Sequence, residues 1–138
     1  MKPPPPKWIS PLFALAALYD GLLGFLFLAA PLYAFEVSGV TPPNHVGYVQ
    51  FPAALLLIFG LIFVAIARDP VGNRPLILYG IMLKVAYCAV AASHWLTTDI
   101  PWLWKPFVWI DLVMGVLFIW AYVALRPGVQ SEQPSEAE

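Results

Sequence analysis

Four stretches of the chain are nearly unbroken apolar runs, and each is at least twenty residues long: Leu12 to Phe35, Val46 to Ala67, Pro75 to Leu96 and Pro106 to Leu125. About 20 apolar residues are what an α-helix needs to cross the hydrocarbon layer of a bilayer. Backbone polar groups find no water in that layer, so each run has to be helical. Transmembrane strands would be about ten residues long and would alternate in polarity, which none of these runs does. No internal repeat divides the chain into related halves. The expected fold is all-α, an integral-membrane bundle of four helices whose short loops make consecutive helices antiparallel neighbours.

The polar punctuation refines this plan. Thr41-Pro42-Pro43 is expected to cap and start the second helix, and Asn73-Arg74-Pro75 the third. Thr98-Asp99-Ile100-Pro101 predicts a short turn before the fourth. Pro52 falls inside the second run and should kink it by freeing the carbonyl of Tyr48; Pro31 should do the same near the end of the first. Residues 1–11 form an arm in which Pro3 to Pro6 favour a stiff polyproline conformation. Residues 126–138 form an acidic tail too polar to fold unaided, leaving 12–125 as the four-helix domain.

Lysine and arginine orient the bundle. Lys2, Lys7, Arg68, Arg74 and Arg126 lie on one side of the four runs, and the opposite loops hold only Lys105. Both termini are therefore expected to be cytoplasmic. Trp95, Trp102, Trp104 and Trp109 would anchor the outer interface and Trp8 the inner one. Lys2 and Lys7 before the first run imitate the start of a signal peptide, but the run is too long, Asp20 interrupts it and no A-x-A site follows, so the span is expected to remain. Compact loops and the lack of a sorting signal point to a bacterial inner membrane.

Composition agrees. The chain is 61% hydrophobic and 11% charged, against about 25% charge in ordinary soluble domains. A chain of 138 residues cannot bury that much apolar surface within itself. The net charge of −1 gives no basic footprint for nucleic acid. Cys88 is the single cysteine, which excludes a disulfide scaffold, and its place among alanines fits a small buried hydrophobe.

Against this background Asp20, Lys84 and Asp111 stand out, because ionisable side chains inside spans are costly and turn toward the bundle interior to find partners. At 1.5 Å per residue, Asp20 and Lys84 lie at about the same depth, about 12–13 Å from the cytosolic end of their spans, with Asp111 about 21 Å from it. Helical spacing groups them with smaller or polar residues: Ala17, Asp20, Gly24, Phe27 and Pro31 on the first helix, Gln50, Ala53, Leu57 and Gly60 on the second. Gly80, Lys84, Tyr87, Ala91 and His94 follow on the third, and Asp111, Gly115, Phe118 and Tyr122 on the fourth. These faces should meet at the bundle axis. The candidate polar cluster is Asp20, Lys84 and Asp111 with Tyr87 and Gln50. Its plain reading is a buried cation neutralised by two carboxylates, with glycines that let helices approach. Its functional reading is a cavity that binds a ligand or moves a proton, since Asp–Lys–Asp carries one surplus negative charge.

His45, His94 and Tyr48 form a second polar layer near the outer face, with Glu36 and Asp99 at the same level and Pro31 and Pro52 beside it. The outer layer of Pro31, Pro52, Gln50, Tyr48 and His94 is expected to open a cavity outward. Neither histidine stands at a recognised ligand spacing, so no metal, haem or other cofactor is predicted. The sequence has no CxxC, no glycine-rich phosphate loop and no Ser–His–Asp pattern.

The segment from Asn44 to Leu96 resembles the EXPERA domain, through Gln50-Phe51-Pro52 near the head of the second helix and Arg74-Pro75-Leu76-Ile77-Leu78-Tyr79-Gly80 opening the third. That family comprises sterol isomerases and sigma-2-receptor-like proteins, and the resemblance implies a bundle of four or five helices around a ligand cavity. Val46 stands where the isomerases carry an acidic residue, and Lys84 occupies the region of their threonine pair. In size and helix count the chain is also similar to the small bacterial DoxX-like proteins. The expected function is non-catalytic: an accessory subunit of a larger membrane assembly, or a binder of a small apolar molecule. Its partners would be membrane lipid, other membrane subunits or a second copy, and not nucleic acid. The alternatives are a small proton-coupled transporter, or an isomerase or redox enzyme that uses the Asp–Lys–Asp cavity.

Overall fold

The computed structural model describes residues 4–127. Five helices follow in order: α1 (Ile9–Ala29), α2 (Tyr33–Ser38), α3 (Gly47–Arg68), α4 (Arg74–Thr97) and α5 (Trp104–Ala124). All but the six-residue α2 are long and apolar enough to cross a membrane. There is no strand among the described residues. Most of the expected acidic tail, and the first three residues of the expected polyproline arm, lie outside them.

The ends of the helices differ from expectation in three places. The first apolar run is two helices rather than one kinked helix. A proline disfavours the helical conformation in the residue before it. Ala30, ahead of Pro31, accordingly leaves the helix with φ −135° and ψ 67°. After a turn the chain forms α2, which Gly39 ends in the left-handed conformation at φ 67°. The second departure is the start of α3, which begins at Gly47 rather than at Thr41-Pro42-Pro43. Two successive prolines hold Thr41 and Pro42 out of helix geometry, and a turn through Asn44–Val46 intervenes. His45 Nδ1 then accepts the N–H of Gly47 at 3.0 Å, serving one of the orphan donors of the new helix.

Asn73 is the third. It precedes α4 as expected, with Pro75 in the first turn, but its side chain does not cap its own helix. Its Nδ2 donates instead to the Ala65 carbonyl at 2.8 Å, which also accepts the Asp69 N–H at 3.2 Å at the end of α3. Between α4 and α5 the turn at Thr98–Pro101 forms where the sequence places it. Asp99 sits there at φ 72°, accepting the Ile100 N–H at 2.8 Å and lying 3.2 Å from the Lys105 ammonium. The backbone N–H, and then Lys105, hold the Asp99 carboxyl below its ordinary range.

The long helices pack as two close pairs, α1 with α3 and α4 with α5. Small residues make the first pair possible. A Cβ on Gly24 would stand 2.7 Å from the Ala53 carbonyl oxygen and 2.9 Å from the Leu57 nitrogen. Gly60 meets the backbone of Gly21 and Ala17 in the same seam. In the second pair, a Cβ on Gly115 would lie 3.3 Å from Lys84 Cβ. The pairs join through a triangle of buried rings: Phe13 stacks on Phe118 at 4.6 Å, and Phe63 meets Phe118 edge-on at 5.3 Å. Gly80 leaves room for both rings, since a Cβ there would fall 2.8 Å from Phe63. Ile9, Ile66, Ile77, Met114 and Ala121 complete this core, which fills the half of the bundle near the chain ends. Leu15, Leu22, Phe25, Ile58, Leu61, Met82, Val85 and Val116 point outward on all four long helices and form an exposed apolar belt.

The seam gives a discriminating test. Gly24→Ala drives a methyl into backbone that cannot yield, and should cost about 1–3 kcal/mol by the usual scale of overpacking. Gly21→Ala has no atom within 4 Å of its new Cβ and should be neutral or slightly stabilising, because alanine is the better helix former. Thermal unfolding of both variants in mild detergent decides; equal melting temperatures would show that the seam is not close-packed.

Candidate functional site

The charge layer lies beyond the phenylalanine triangle. Lys84 extends from α4 with its side chain 1% exposed, and its Nζ stands 3.1 Å from Asp20 Oδ1, 3.0 Å from Asp20 Oδ2 and 3.0 Å from Asp111 Oδ1. An ammonium has three protons to donate, and here three carboxylate oxygens from α1 and α5 receive them. The Tyr19 ring lies 5.2 Å from the same nitrogen and the Phe63 ring 5.9 Å, so aromatic faces flank the cation. Local sequence explains the convergence. Asp20 is four residues from Gly24, at the tight α1–α3 seam, while Asp111 is four residues from Gly115, where α5 comes against the Lys84 stem. Among the described residues, no buried side-chain polar atom lacks a hydrogen-bond partner.

The other half of the bundle is hollow. A half-open cavity of about 300 Å³ is lined by residues of α1, α2, α3, α4 and α5, with Asp20 and Asp111 as its acidic lining residues. Each helix lends a stripe at helical spacing: Tyr19, Leu23 and Phe27 from α1; Val49, Pro52, Ala53 and Leu56 from α3; Leu83 and Tyr87 from α4; Trp104, Phe107 and Asp111 from α5. Phe35 of α2, Tyr48 and Leu103 stand at the α2 end. The Tyr87 hydroxyl donates to the Trp104 carbonyl at 3.3 Å, which turns its ring along the wall. Asp111 keeps a tenth of its side chain exposed, and its second oxygen accepts no hydrogen bond among the described residues. The site thus offers an aromatic and aliphatic enclosure that ends on a carboxylate with one acceptor oxygen uncommitted.

Asp20, Lys84 and Asp111 meet, and Tyr87 lies beside them in the cavity wall. Gln50, expected in that cluster, belongs elsewhere: its Nε2 donates to the Leu28 carbonyl at 3.2 Å and ties α3 to the last turn of α1. The expected outer layer does not assemble as one site. His45 caps α3, and its ring meets Tyr48 edge-on at 6.3 Å. His94 is exposed, its ring making no hydrogen bond among the described residues. Tyr48 and Pro52 line the cavity, but Pro31, Gln50 and His94 do not. No group of three or more His, Cys, Asp or Glu suited to a metal ion occurs among the described residues. Tyr19, Trp104 and Phe107 line the cavity and were missed in the sequence. The signal was there in the stripe of Tyr19, Leu23 and Phe27, which borders the face of Ala17, Asp20 and Gly24 and shares Phe27 with it.

Compared with family models, curated proteins and solved structures, the chain matches none. The geometry alone therefore carries the functional reading.

Substitution within the triad should be asymmetric. Lys84→Met leaves two carboxyls that protons can neutralise, so the variant is expected to fold. Asp20→Asn with Asp111→Asn strands a buried ammonium, and breaking a buried ion pair costs about 3–5 kcal/mol. Denaturant titration of both variants in detergent checks this: a double variant as stable as the parent, beside an unfolded Lys84→Met, would refute the pairing.

Proposed function

We propose that the protein is a multi-pass membrane protein that holds a small, largely apolar molecule in the cavity between its helices, without catalysing a reaction on it. The half-open cavity of about 300 Å³ carries this reading. It sits at the lower end of ligand-pocket volumes, and its lining of apolar and aromatic side chains around a few polar groups is the usual make-up of such sites. Membrane insertion is supported by the four long apolar helices and by the belt of exposed leucine, isoleucine, valine and phenylalanine, which water would not tolerate at this extent.

The orientation we infer has both chain ends on the cytoplasmic side of a bacterial inner membrane. Lys7, Arg68, Arg74 and Arg126 gather at the end opposite α2, whereas Lys105 lies near the α2 end. The cavity would then open toward the outer face, where Trp102 and Trp104 stand at the interface.

Native mass spectrometry of protein extracted in mild detergent from its own membrane tests the reading. A small molecule should remain bound to the parent and to Leu15→Trp, a change on the exposed belt. It should be absent from Val49→Trp, which places an indole inside the cavity. A parent without bound small molecule, or one that survives Val49→Trp, would overturn the proposal.

A further inference from the structure

A second recess lies between α1 and α3, on a side where Ala14, Leu18 and Val64 are exposed. It is an open groove of about 640 Å³ whose lining changes character along its length. Ser10 stands in the first turn of α1 and Arg68 is the last residue of α3, so the two polar groups share one end of the groove, level with the chain ends. Ala14, Ala17, Leu18 and Val64 line the rest. From Ser10 to Leu18 the helix rises about 12 Å. Gly21 continues the same face, and a Cβ there would meet nothing within 4 Å, so the channel stays open beyond Leu18. Arg68 is exposed and takes part in no ion pair among the described residues. The carboxylate next to it, Asp69, accepts the Gly72 N–H at 2.9 Å and does not line the groove. α1 starts with neither a capping side chain nor an acidic residue in its first turn, which leaves backbone donors at the mouth.

A cationic, donor-rich mouth that leads into an apolar channel is the complement of a molecule with an anionic head and a hydrocarbon tail. In a bilayer that molecule is an anionic phospholipid. Its phosphate oxygens would accept from the Arg68 guanidinium and the Ser10 hydroxyl, and an acyl chain would lie over Ala14 and Ala17 between Leu18 and Val64. Depth agrees with this seating. Ser10 and Arg68 stand at the ends of their spans, where headgroups lie, and the apolar lining runs at the level of the exposed belt that includes Leu15 and Leu61. A zwitterionic lipid brings the same phosphate together with an ammonium that no carboxylate of the lining answers. A second copy of the chain fits less well, because two such faces meeting about an axis along the membrane normal bring Arg68 against Arg68. We propose that the α1–α3 groove binds a single anionic phospholipid, with the phosphate on Arg68 and one acyl chain along Ala14 and Ala17. The site is separate from the cavity between the helices and rests on membrane insertion alone.

The test uses the full chain in mild detergent, stripped of lipid and then given phosphatidylglycerol or phosphatidylcholine with identical acyl chains. Native mass spectrometry reads the fraction that keeps one lipid. The parent is expected to keep phosphatidylglycerol about fivefold better, the scale of one arginine against an anionic headgroup. Arg68→Gln should bring phosphatidylglycerol down to the level of phosphatidylcholine, whereas Lys105→Gln, near the α2 end, should change nothing. Ala14→Trp fills the groove from an exposed position and should reduce both lipids to the same low retention; Val64→Trp, on the opposite wall, takes its place if that variant does not fold. Val49→Trp, inside the other cavity, should leave the preference intact. Equal retention of the two lipids by the parent would overturn the proposal, as would a preference that survives Arg68→Gln or Ala14→Trp, or one that Val49→Trp removes. Glycerol phosphate bound as tightly as phosphatidylglycerol would assign the mouth to a free phosphate, and a dimer lost in Ala14→Trp would assign the face to a second copy; either result overturns the lipid. Resistance of the chain to carbonate extraction checks membrane insertion separately, so these outcomes bear on the groove alone.

Discussion

A single ammonium organises this bundle. Lys84 is almost wholly buried, and a buried charge is tolerated only when its partners come to it with good geometry. Its partners are on α1 and α5, so the depth and rotation of three helices are fixed together by three contacts of 3.0–3.1 Å. Replacing such a triad by apolar side chains is often neutral or stabilising in other proteins. Its presence is thus better explained by register and by the chemistry it offers than by stability as such.

The two halves of the bundle answer the constraint differently. Toward the chain ends, Gly80 and Gly115 bring α4 and its neighbours close enough for Phe13, Phe63 and Phe118 to pack together, with the Phe63 ring 5.9 Å from the ammonium. Toward α2, the Lys84 stem no longer fills the axis and no ring triangle replaces it. There the stripes of α1, α3, α4 and α5 stand apart around the cavity, with Pro52 in the wall where α3 lacks one backbone donor. The solid half and the hollow half share one floor, which is the triad itself.

Much of this was legible in the residues. The four long apolar runs, the matched depth of Asp20 and Lys84, and the glycines spaced one turn from each charge follow from helical period and the cost of burying ions. What was not legible depends on competition between local signals. Pro31 reads equally as a kink or a stop, and only the conformation of Ala30 and the turn into α2 settle it as a stop. Thr41-Pro42-Pro43 has the composition of a helix start, yet the paired prolines prolong the extended chain and pass that role to His45. Gln50 shares a helical face with Ala53, but near the end of α1 an orphan carbonyl at Leu28 competes for it and wins. Tyr19 lies beside the face that carries Asp20, and it lines the cavity because the lining is set by what borders the gap rather than by charge.

Trp102 has a consequence of a mechanical kind. Its indole N–H donates to the Ser38 carbonyl at 3.2 Å, and among the described residues this is the one side-chain hydrogen bond that ties α2, which links α1 to α3, to the α4–α5 pair at the hollow end. A neutral hydrogen bond contributes about 1 kcal/mol net, less than twice the thermal energy. At the other end the pairs are held by three interlocked rings and by the Asn73 side chain on Ala65. The bundle is thus a spring clip: firmly riveted at the chain ends, pinned at its middle by Lys84, and closed at its tip by a latch that ordinary thermal motion can lift.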